Sequence, residues 1–147
     1  MKLGNLLNQL VETAGIPKTD FAIFLNYTPS ALSKILSGKR LPSIKEKKHF
    51  LHQAANYFSE ALFDDKCYFL FKNIFPVLYD FISINELERF LIDALDYAIM
   101  QDYASANGES HDFPDRSYSY LGTKSILNHF CIIASDFIME HSNEILD

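Results

Sequence analysis

Histidines, cysteines and carboxylates are the side chains of this 147-residue chain that could carry catalysis or hold a metal, and their spacing favours neither. His49 and His52 stand three apart on a helical pattern and could share an ion, but no third ligand is spaced near them. A solvated or phosphate-facing pair is the simpler account. His129 and Cys131, two apart on a helix, point in different directions. Glu86, Glu88, Asp93 and Asp96 read as the wet side of an amphipathic helix, and there is no glycine-rich phosphate loop. No enzymatic activity, metal or cofactor is expected. What remains is the chemistry of hydroxyls and cations facing an anion. From Met1 to Phe50, eight lysines and arginines stand against three carboxylates, a balance of +5, whereas the rest of the chain carries -11. A positive head attracts a polyanion, and an acidic body repels it and orients the encounter, although solubility is the plainer role of the body's charge.

The head's cations belong to short helices with their ends written into them. Leu3, Leu6, Leu7, Leu10 and Val11 recur at helical steps, and Gly15 supplies the stop. Pro17 opens a second helix over Lys18 to Leu25, with Phe21, Ala22 and Leu25 on one face. Only Asn26 and Tyr27 turn the chain before Thr28 caps a third helix, with Pro29 in its first turn and Leu32, Ile35 and Leu36 apolar. Gly38 ends it, backed by Lys39 and Arg40. Helices so short and so closely joined must cross steeply, and they cannot bury their apolar faces without a third partner, which the first helix provides.

Leu6, Leu10, Ala14-Gly15-Ile16, Phe21-Ala22, Leu25, Ser30, Leu32-Ser33-Lys34-Ile35, Gly38-Lys39-Arg40 and Pro42-Ser43 resemble the helix-turn-helix of the Cro and CI repressor family, often called Xre. The resemblance covers the head and none of the rest. It implies a lambda-repressor-like bundle whose recognition helix, Thr28 to Ser37, lies in the major groove of double-stranded DNA. The family's base-reading positions fall on Pro29, Ser30, Ser33 and Lys34, with Leu32, Ile35 and Leu36 toward the core. Phosphate contacts would come from Lys18, Thr19, Lys39, Arg40 and Lys45, although the run Lys45 to Lys48 reads equally as a solvated face. Many members carry glutamine where this chain has Lys18-Thr19 and Pro29-Ser30. Pro29 has no N–H to donate, so it could meet a base only by van der Waals contact. The implied function is a sequence-specific transcriptional regulator, a repressor, acting as a homodimer because one head reads only a few base pairs. The alternative is a protein-interaction module, such as an antitoxin or adaptor, whose body grips a partner protein.

Beyond the head, Ser43 with Glu46 has capping-box spacing, and the helix that follows has two adjoining apolar stripes through Phe50, Leu51, Ala54, Ala55, Tyr57, Phe58, Ala61 and Leu62. It reads as a joint buried on two sides, with a break at Ser59 as the alternative. Asp64-Asp65 reads as a cap for a helix from Lys66, which Pro76 ends or kinks near Phe75. Ser83 to Glu86 offers a second capping box ahead of Leu87, Phe90, Leu91, Ala94, Leu95, Ala98 and Ile99. Ala106 to Ser117 reads as an exposed loop, and a final helix starts near Tyr118 or Thr123 with the register Ile126, Leu127, Phe130, Ile133, Ala134, Phe137 and Ile138. The fold class is therefore all-α, with a head over 1–62 and a helical body over 63–147 for dimerisation or effector binding, the final helix being the first candidate for the two-fold contact. Seventeen aromatic residues lie beyond Phe50 and form either plain core or a groove for a small-molecule, peptide or protein effector. Cys67 and Cys131 have no pairing framework, which suits reduced thiols. No signal peptide is visible, and the most apolar run, Cys67 to Ile82, is interrupted and too short to span a bilayer, so a cytoplasmic protein away from membranes is expected.

Overall fold

In a computed structural model the backbone is described over residues 1–63, 65–107 and 123–146, and the side chains over 1–63, 68–106 and 124–141. The described residues form seven helices and no strand: α1 Leu3–Ala14, α2 Lys18–Phe24, α3 Pro29–Leu36, α4 Ile44–Leu62, α5 Asp65–Phe71, α6 Ile84–Asn107 and α7 Thr123–Leu146. Among them no helix is long and apolar enough to cross a membrane.

The local stop and start signals act where the residues place them. Gly15 takes φ 67° and its N–H donates to the Glu12 carbonyl, ending α1. Asn26 takes the left-handed φ of 59° in the turn between α2 and α3, a conformation asparagine tolerates better than most residues. The Thr28 hydroxyl oxygen accepts from the Ala31 N–H at 3.1 Å, and Gly38 closes α3 at φ 81°. Ser43 and Glu46 complete their capping box, each side chain accepting from the other's backbone N–H at 3.2 Å. The fourth helix does not break at Ser59, which is buried and donates to the Asn56 carbonyl at 3.0 Å.

Close approach fixes how α1 meets α3. An added Cβ at Gly4 would lie 2.4 Å from the Leu36 carbonyl oxygen, so only glycine lets the two backbones come this near. Asn8 Nδ2 secures the junction, donating to the carbonyls of Gly4 at 2.9 Å and Leu36 at 3.2 Å. The N-terminus of α1 is capped from across the molecule, where the Leu3 N–H donates to Asp102 Oδ2 at 2.8 Å. Beside it on α6, the Tyr103 hydroxyl donates to the Pro42 carbonyl, and Asp96 receives the Lys47 ammonium at 2.6 Å. The head is thus held to α6 at α1, at the 41–43 connection and at α4.

Packing in the body departs from the sequence expectations at two places. The fifth helix ends at Phe71, several residues ahead of Pro76, because a turn through Ile74 brings Phe75 back onto Phe71 and Phe90. Asp64 lies outside the described residues. Asp93 is buried rather than wet, and its Oδ2 accepts from Asn128 Nδ2 at 2.9 Å, while Arg89 on the same helix donates to the Ser125 hydroxyl at 3.2 Å. Helix α7 turns Ser125, Asn128, Cys131, Ile132 and Ser135 inward and leaves the apolar residues Ile126, Leu127, Phe130, Ile133, Phe137 and Ile138 exposed. The Ser135 hydroxyl bonds both the N–H and the carbonyl of Val77, and the Tyr79 hydroxyl donates to Asn128. These polar bonds hold the connection between α5 and α6 against α7. Burial pushes the Cys131 thiol up, and this cysteine is unpaired; Ala106 and Asn107, expected to open the loop, instead end α6, while the rest of that loop and the side chain of Cys67 lie outside the described residues. One continuous core runs from Leu3 to Ile132.

Candidate nucleic-acid interface

Helix α3 is short because its sequence allows nothing longer. Thr28 and Pro29 fix its start, and after Leu36 the N–H groups of Lys39 and Arg40 both donate back to the Lys34 carbonyl, at 2.9 and 3.2 Å. Leu32 and Ile35 are buried, whereas Pro29, Ser30, Ser33 and Lys34 are all exposed. No carboxylate lies on α3 itself. The result is a single-turn-wide edge of hydroxyls with cations gathered at its C-terminal end, where the helix dipole favours positive charge.

Lys18 and Thr19, in the first turn of α2, line a groove of about 290 Å³ together with Pro29, Leu32, Ser33 and Leu36. The groove therefore brings together four of the nine expected contact residues. Ser30, Lys34, Lys39, Arg40 and Lys45 are exposed but do not line it. Asn8 and Ser37 do line it, and neither was read from the sequence as a site residue. The available signal was an asparagine one helical turn after Gly4 on an otherwise leucine-rich helix, in a position to reach backbone rather than solvent. Ser37 is partly committed, since its hydroxyl donates to the Lys34 carbonyl at 3.1 Å.

Arg40 differs from the lysines. Its guanidinium donates to both carboxylate oxygens of Glu46, at 3.1 and 3.3 Å, in a solvent-accessible pair. The backbone N–H of Ser43 and then its hydroxyl hold the Glu46 carboxyl below the usual carboxylate range, with Arg40 adding to the effect. A phosphate reaching Arg40 must compete with that carboxylate, so Lys18, Lys34 and Lys39 are the less encumbered charges. Tyr27 donates weakly to Glu46 at 3.4 Å, and burial followed by the Glu46 charge pushes its hydroxyl up. Lys47 leaves the cationic run altogether by pairing with Asp96, while Lys45 stays in solvent.

His49 and His52 are both exposed on α4, and among the described residues no three of the histidines, cysteines and carboxylates gather as a metal site. In the body, a cavity of about 590 Å³ is lined by Leu62, Phe63, Phe69, Phe71, Phe81 and Leu87, with the Tyr68 hydroxyl donating to Asp80 at 2.6 Å on its wall. Burial, then the bond to Asp80, pushes that hydroxyl up to about 12. No family model, no curated protein and no solved structure matches this chain.

Proposed function

We propose that the chain is a sequence-specific DNA-binding transcriptional regulator, a repressor, whose helix-turn-helix head presents α3 to the major groove. The carrying observation is the division of α3 between buried Leu32 and Ile35 and exposed Ser30, Ser33 and Lys34. An α-helix fits a groove about 12 Å wide, and there hydroxyls can donate to or accept from base edges while a lysine favours guanine O6 and N7. Lys18, Thr19 and Lys39 would then fix register on the phosphates, with Arg40 and Lys45 at the margin. The acidic body opposes non-specific wrapping and leaves the head as the face that meets the duplex.

The test is a binding titration on a duplex selected from a random pool, repeated across a range of salt. Three to five phosphate contacts per head give a log–log slope of about -3 to -4.5, from roughly -0.9 per contact. A flat response would remove the reading.

A further inference from the structure

We propose that the outward face of α7 is the surface on which a second copy of this chain docks, pairing α7 with α7 across a two-fold axis. The helix is amphipathic in the reverse sense. Its polar residues Ser125, Asn128 and Ser135 are buried beside Cys131 and Ile132, whereas most of its large apolar residues face solvent: Phe130 is 64%, Phe137 62% and Ile126 56% exposed. A helix arranged this way is half of an interface.

The spacing selects a like helix as the other half. Ile126, Phe130, Ile133 and Phe137 advance by four, three and four residues, the 3.5-residue period that lets two helices interlock along their length. An antiparallel pair centred between Cys131 and Ile132 sets Phe130 of one copy opposite Ile133 of the other and Phe137 opposite Ile126, a large residue against a smaller one throughout. No charged side chain lies among these four residues, so a copy of the same face leaves no buried charge without a partner. Leu127 and Ile138, also exposed, flank the stripe and widen the apolar face. By contrast Ile44 and Ile82 are exposed without an exposed apolar neighbour in sequence. The proposal rests in part on the DNA-binding reading, since a second copy supplies the second head that a palindromic site requires.

Sedimentation equilibrium of the full chain without DNA tests the interface apart from that reading. The wild type should be a dimer, Phe130→Glu should weaken it by about 100-fold or more with an unchanged helical circular-dichroism spectrum, and Ile82→Glu should leave it intact. Should Phe130→Glu not fold, Phe130→Ser replaces it, and amide exchange in α7 of the wild type should slow as protein concentration rises. A monomeric wild type overturns the proposal, as does a Phe130→Glu dimer of wild-type strength or dissociation by Ile82→Glu. A dimeric wild type that binds no DNA would sink the regulator reading and leave the interface standing.

Discussion

Ser33 and Lys34 are exposed neighbours on α3, and on the proposed reading substitutions should separate them from Lys39. If either reads a base edge, Ser33→Ala or Lys34→Ala should lose about 1 to 3 kcal/mol on the selected duplex and much less on a scrambled one. Lys39→Ala should weaken both duplexes alike and flatten the salt slope by about 0.9. The reverse ranking in a fluorescence titration would mean that α3 is rotated in the groove. Asp93 provides a second residue-scale test. Burial raises its carboxyl above the usual range more than the Asn128 bond and the nearby His129 and Arg89 charges lower it. The folded state therefore binds this proton more tightly than the unfolded one, and its contribution to stability falls as pH rises from the ordinary carboxylate pKa through the raised one. Urea melts across that window should show the wild type losing stability relative to Asp93→Asn as pH rises. A pH-independent difference would contradict the assigned cause.

At the scale of elements, the junction of α1 with α3 depends on a missing side chain. Alanine ordinarily favours a helix interior over glycine by about 1 kcal/mol. At Gly4 the added methyl would meet a backbone carbonyl that cannot swing aside, so Gly4→Ala should instead destabilise by roughly 1 to 3 kcal/mol and weaken DNA binding by displacing α3. Chemical denaturation with a parallel binding titration reads both effects, and a stabilised variant would show that the helices can separate freely. Ser43→Ala removes one arm of the capping box at the start of α4 and should lose about 1 kcal/mol, in the range usual for caps.

The whole molecule should unfold as one unit. Helix α4 contributes Phe50, Leu51, Ala54, Ala55, Phe58 and Leu62 to a core it shares with both head and body, and the α6 residues Asp96, Asp102 and Tyr103 tie the head down at three points. Neither part can open without exposing the other. Calorimetry should give a single transition, and Asp102→Ala should lower it as a whole by uncapping α1 rather than split it in two. Two resolved transitions would mean that the shared helix does not couple the parts.

What the chain determined by itself was local. Gly15, Thr28, Pro29, Gly38, Ser43 and Ser83 mark helix ends through their own φ preferences or through bonds to backbone within a few residues, and the registers of α1, α3 and α6 select their own buried faces. These interactions need no partner from elsewhere, so spacing reveals them. Tertiary structure decided which carboxylates are wet, what caps α1 and which way α7 faces. Asp93 and Asp102 are buried or engaged because residues 35 or 99 positions away complete their bonds. The periodicity of α7 shows an apolar stripe but not what lies across from it. Polar partners on α6 and on the 77–79 connection claimed the opposite side, through Asp93 to Asn128, Arg89 to Ser125 and Val77 to Ser135. Buried polar groups must be paired, and that requirement turned the apolar stripe outward.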